Sequence, residues 1–137
     1  MGFVQYMQVE RRNPGNDDYS IDYPSLEQIL HAISSLDGKV SSYVMLHPDN
    51  EDPTTGYLAI GGGNEGRFLV CHWDGVNEVE TRVIDPSVTS NELVDVMMVH
   101  LTEREAPEIV DLATALRVAT AYDATGELTT DVTWKRE

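Results

Sequence analysis

The chain has 137 residues, 41% of them hydrophobic, a single cysteine, and 24 acidic against 9 Lys and Arg residues, for a formal net charge of −15. That length and composition suit one domain, residues 1–137, able to bury a core, and argue against wholesale disorder. No apolar run approaches the ~18 residues of a membrane span, no secretory pattern follows Met1, and the acidic surface would repel nucleic acid and anionic membranes, so a cytoplasmic protein is expected.

Residues 3–9, FVQYMQV, alternate as a first strand does. Residues 11–18 form a turn-rich loop around Pro14-Gly15. Ser25 and Gln28 then stand at capping-box spacing ahead of Leu26, Ile29, Leu30, Ile33 and Leu36, the apolar face of a helix stopped by Asp37-Gly38. His31 lies at the edge of that face. Strands are expected at 40–46, 57–60, 67–73 and 78–84, with an acidic loop at 47–56, a glycine turn at 61–66 and Asp74-Gly75 as a hairpin signal. Residues 93–99 read as a sixth strand, and 108–110 as an additional edge segment.

Asp111 is placed to cap a second helix, whose Leu112, Ala115, Leu116, Ala119 and Tyr122 make one apolar face. Gly126 supplies a left-handed stop, after which Leu128 and Val132 lead to Trp134. The order predicts an α+β fold: a mainly antiparallel sheet of about six strands, with two amphipathic helices packed on one face.

Chemistry is thin. GGGNEG at 61–66 is followed by a strand and has no lysine near it, so a hairpin explains it better than a phosphate loop. Asp49, Glu51 and Asp52 start like a calcium loop, but the sixth and twelfth places hold Thr54 and Ile60. Cys71, in an apolar run, reads as a buried inert thiol, and strand alternation points His72 to the opposite face. His100, after VMMV, could sit in a cleft but has no visible companion. Trp73 and Trp134 read as core or hairpin-anchor aromatics, and Trp73 is also a candidate binding residue at a hairpin end.

The run Val110-Asp111-Leu112, Thr114-Ala115-Leu116, Ala119, Tyr122, Gly126-Glu127-Leu128 and Val132-Thr133-Trp134, with 58–63 and 68–70 before it, resembles a known family signature. It is similar to the first-numbered Imm family of bacterial immunity proteins, found in polymorphic-toxin systems and often beside toxins of the deaminase superfamily. The likeness covers roughly residues 57–134. Two departures stand out: residues 99–102 replace a Gly-Gly-Gln-like turn, and Tyr122 replaces a phenylalanine.

The resemblance implies an inhibitor that binds a cognate toxin and blocks it, with no catalytic residue, metal or cofactor of its own. A nucleic-acid-acting toxin must hold a polyanion, so its cleft is expected to be basic and to attract this acidic chain. Candidate partner contacts, chosen for charge and loop position, are Asp49, Glu51, Asp52, Glu65, Glu103 and Glu105, with Trp73. The rival readings are a small acidic enzyme with a cleft near His100, and an acidic scaffold or metal-binding module.

Overall fold

The computed structural model describes residues 2–11, 18–97 and 101–136, apart from the side chains of Pro53, Met97 and Leu101. In chain order these form β1 (Tyr6–Arg11), β2 (Tyr19–Asp22), α1 (Leu26–Ser34), β3 (Ser41–His47), β4 (Gly56–Gly62), β5 (Phe68–Asp74) and β6 (Val79–Ile84). Then come β7 (Leu93–Met97), β8 (Leu101–Glu105), α2 (Leu112–Thr125) and β9 (Thr133–Arg136). Seven strands make one sheet in the order β2-β1-β3-β4-β5-β6-β9, antiparallel throughout, and β7 and β8 pair apart from it.

Period-two alternation commits one sheet face to the helices. Val9 pairs with Val44, Val44 with Ile60 and Ile60 with Val70, so one row of β-branched side chains crosses four strands. Met7, Leu46 and Leu58 form the neighbouring row, and all seven residues are buried. Ile29, Ala32 and Ile33 of α1 and Ala115, Val118, Ala119 and Tyr122 of α2 join the same cluster. Each fully buried aliphatic side chain contributes about 1.5–3 kcal/mol against chain entropy. Two helices on one face of an antiparallel sheet were therefore legible from periodicity.

The local signals explain the boundaries. Ser25 Oγ accepts the Gln28 N–H at 3.1 Å while Gln28 Oε1 accepts the Ser25 N–H at 2.9 Å, closing the expected capping box. Asp111 Oδ1 accepts the Thr114 N–H at 2.8 Å, and Gly126 ends α2 at φ +77°. Gly61 and Gly62 end β4, and residues 63–67 connect it to antiparallel β5, as the hairpin reading required.

Four features depart from expectation. Segment 19–22 is a strand at the sheet edge, and 101–105 is a strand paired with β7. Residues 108–110 reach the sheet through a single bridge, Phe68 to Val110. Gly75 is needed for close approach, not for a two-residue hairpin turn. A Cβ there would strike the Thr54 carbonyl, while the left-handed position of this turn falls on Glu78, at φ +55°.

One buried carboxylate fastens the amino-terminal segment to α2. Asp123 is 5% exposed, and its Oδ1 accepts the Val4 N–H at 3.1 Å while its carbonyl accepts the Phe3 N–H at 2.6 Å. Phe3 stacks edge-on against Tyr122 with ring centroids 5.4 Å apart. Asp123→Ala leaves the Val4 amide unanswered and is expected to lower unfolding free energy by about 2 kcal/mol in urea denaturation. A midpoint equal to wild type would show that Asp123 does not clamp the amino-terminal segment.

Candidate functional site

The helix-free face of the sheet carries a different set of side chains. Across it, Tyr6 pairs with His47 and Tyr57 with Trp73. The Tyr6 and His47 rings lie 5.5 Å apart and the His47 and Tyr57 rings 5.8 Å, so one aromatic row spans β1, β3, β4 and β5. The next row runs Gln8, Met45, Ala59, Cys71 and Arg82, and the one beyond it Glu10, Tyr43, Gly61 and Leu69.

Part of this face is covered. The β7–β8 hairpin leans on β4: Val96 is fully buried, and Asn64 Nδ2 donates to the Asp95 carbonyl at 3.3 Å. Leu69 and Cys71 are buried at that end, beside an ion pair of 2.7 Å between Arg82 and Glu108. Burial, with Glu80 adding to it, pushes the Cys71 thiol up to about 11, so it is protonated and unreactive at neutral pH. The remainder is not covered by any described element. Tyr6, Tyr43, Met45, Tyr57 and Trp73 are each half-buried there, and a groove of about 420 Å³ runs past Tyr6, Tyr19, Tyr43 and Met45.

The seven residues singled out from sequence fall into two groups. Asp49, Glu51 and Asp52 lie in the β3–β4 connection, which reaches the Trp73 end of β5 through the Gly75 N–H to Thr55 carbonyl bond of 3.1 Å. Glu65 lies in the β4–β5 connection at the opposite end, next to the hairpin that carries Glu103 and Glu105. Several of these acids are engaged locally. Asp49 Oδ1 accepts the Glu51 N–H at 2.8 Å, and Asp52 Oδ1 accepts the Thr54 N–H at 3.0 Å. The Thr54 hydroxyl and amide hold the Asp52 carboxyl below its ordinary range. Glu65 pairs with Arg67 at 2.9 Å on an exposed surface, where such a pair adds little.

The half-exposed aromatics other than Trp73 escaped that selection because charge and loop position guided it. Their signal was present, since Tyr6, Tyr43, Met45 and Tyr57 occupy the strand positions alternate to the buried apolar ones.

His100 lies outside the described residues, as does residue 99, whereas Leu101 and Thr102 begin β8. No histidine among the described residues is hydrogen-bonded to a carboxylate, and no three His, Cys, Asp or Glu side chains there are grouped to hold a metal ion. A larger cleft, about 570 Å³, lies at the start of α2 and holds Asp85, Asp111, Arg117 and Asp131. Asp111 is already spent on the helix cap, and the cleft contains no histidine or cysteine. No described helix is long and apolar enough to cross a membrane.

His47 and His72 share a physical condition. His47 is 2% exposed, its Nε2 lies 2.9 Å from Gln8 Oε1, and its Nδ1 has no hydrogen-bond partner among the described residues. His72 points to the helix side, its ring 5.9 Å from that of Tyr122, opposite to Cys71 as strand alternation requires. Burial holds both imidazoles below the ordinary 6.5, with Asp74 opposing the shift at His72. The unfolded chain therefore binds more protons than the folded one just below pH 6.5, and stability falls as pH drops through that range. NMR titration should place both ring midpoints below 6.5, with the melting temperature declining from pH 7 to 5.5. A midpoint at or above 6.5 would contradict the burial assigned here.

An acidic domain with one uncovered aromatic sheet face, and no assembled catalytic group among its described residues, is suited to binding another protein. No curated protein and no solved structure matches the chain. The family model described as Immunity protein Imm1 matches residues 17–136. The match takes in both helices and eight of the nine strands, all but β1, so the chain belongs to the Imm1 immunity protein family.

Proposed function

We propose that this protein neutralises a cognate bacterial toxin domain that acts on nucleic acid, of the deaminase class the sequence resemblance points to, by occupying its basic cleft. It does so in the cytoplasm of the cell that makes both proteins, without catalysis of its own. The observation that carries this reading is the joining of family membership to an uncovered face rich in tyrosine and tryptophan on a chain of net charge −15. Tyrosine and tryptophan are the residues that dominate interface energetics, because they bury much area at small entropic cost.

The division of labour follows from position. Trp73 sits at the same end of the sheet as Asp49, Glu51 and Asp52, so an aromatic anchor and a negative rim occur together. Glu65, Glu103 and Glu105 lie at the other end and act through the overall field. Long-range attraction speeds encounter with a basic cleft, and carboxylates at its mouth take the places of substrate phosphates.

Co-expression with the product of the neighbouring toxin gene tests the proposal. Cell survival and a co-purifying 1:1 complex are expected, with the association rate constant falling roughly tenfold or more between low and high salt. A harmless neighbour that leaves nothing bound would defeat the toxin assignment. A salt-independent association rate would defeat the electrostatic part alone.

A further inference from the structure

The seven-stranded sheet has two edges, and only one of them is guarded. β9 forms one edge and carries Lys135 and Arg136, charged side chains of the kind that keep an edge from pairing with a foreign strand. β2 forms the other with Tyr19, Ser20, Ile21 and Asp22, and has no lysine, arginine or proline. Residues 18–36 include Asp18, Asp22 and Glu27 but no lysine or arginine.

The hydrogen bonding of β2 shows what its open side offers. The Tyr23 N–H donates to the Gln5 carbonyl at 2.7 Å, and the register continues with Asp22 opposite Tyr6, Ile21 opposite Met7 and Ser20 opposite Gln8. Antiparallel alternation therefore spends the amide and carbonyl of Ile21 on β1 and turns those of Ser20 and Asp22 away from it. No described strand pairs with that side. Ser20 and Asp22 are exposed, and beside them Tyr19 is 39% and Tyr23 48% exposed. Outward backbone groups next to large exposed side chains make a template for one more strand.

Charge decides which strand fits. A second copy brings another −15 and sets the acids around β2 against their own kind. A basic strand meets the opposite sign. We propose that β2 takes an extended segment of the toxin as an eighth strand of the sheet, with lysine or arginine beside Asp22 and apolar residues alternating toward Tyr19. The assignment rests on the immunity reading and names a backbone contact within it. Asp22 pairs with Tyr6 and so lies on the aromatic face, whereas Tyr19 pairs with Val9 at the rim of the helix-covered face. The basic residue beside Asp22 thus extends the row that runs through Tyr6, His47, Tyr57 and Trp73.

Amide hydrogen exchange of the full chain, free and in its toxin complex, reads the edge residue by residue. In the free protein Ser20 and Asp22 should exchange fast while Ile21 is protected, and in the complex Ser20 and Asp22 should slow roughly hundredfold. A complex in which both exchange as fast as before would overturn the added strand and leave the immunity reading standing. Protection in the free chain that vanishes on dilution would give the edge to a second copy and overturn the toxin strand. Absence of any complex would defeat the immunity reading and this proposal with it.

The Kd of the complex for Ser20→Pro, Asp22→Lys and Glu103→Lys tests the same contact by its chemistry. Proline removes an outward N–H that β1 does not use, so the melting temperature should hold. Ser20 and Asp22 are exposed, and Glu103→Lys makes the same charge change as Asp22→Lys at an exposed position away from β2. Ser20→Pro and Asp22→Lys should weaken binding roughly tenfold or more, and Glu103→Lys by far less. Wild-type affinity for a stably folded Ser20→Pro variant would overturn the backbone contact.

Discussion

Burial of one face of the seven-stranded sheet beneath α1 and α2 is the constraint from which the rest follows. Once Val9, Val44, Ile60 and Val70 are committed to that face, alternation leaves no choice about Tyr6, Tyr43, Tyr57 and Trp73. A one-residue slip in any central strand would send tyrosines into the core and valines to the surface. The core thus fixes, through the fold's register, the composition of the opposite face. Asp123 and Tyr122 strengthen the same arrangement, because they tie the start of the chain to the helix that covers the sheet.

The two faces are used differently because they are covered differently. On the helix side, two elements bury a continuous cluster. On the other side, among the described elements, the β7–β8 pair covers one end, and it does so partly with polar contacts such as Asn64 to Asp95. The Leu69 and Cys71 region is thereby closed off, and the thiol is inert. No described element covers the half-buried side chains from Tyr6 to Trp73. A half-exposed aromatic strip is tolerable on a highly charged chain because like charge keeps the molecules apart.

Much of this could be read from the residues. The capping box at Ser25, the cap at Asp111 and the stop at Gly126 each rest on local hydrogen bonding, which sequence spacing reports directly. The face of α2 was legible for the same reason, since 3.6-residue periodicity is an internal property of the segment. The strands β2 and β8 were not, because they are short, polar edge elements whose existence depends on a neighbouring strand. Glu103 and Glu105 were consequently read as loop acids, although they stand on β8. The candidate surface was legible only in part: charge led to Asp49, Glu51 and Asp52, whereas Tyr6 and Tyr43 become neighbours of a common groove only when β1 and β3 pair across α1.

Toxin binding by the proposed route uses the aromatic sheet face and not the helix side. Hydroxyl-radical footprinting of the free protein and of its toxin complex reads this at side-chain level. Tyr6, Tyr43, Met45, Tyr57 and Trp73 should lose reactivity in the complex, while exposed Leu26 of α1 and partly buried Leu112 and Leu116 of α2 keep theirs. Protection of the helical side chains with undiminished oxidation of Tyr6, Tyr43 and Trp73 would contradict it.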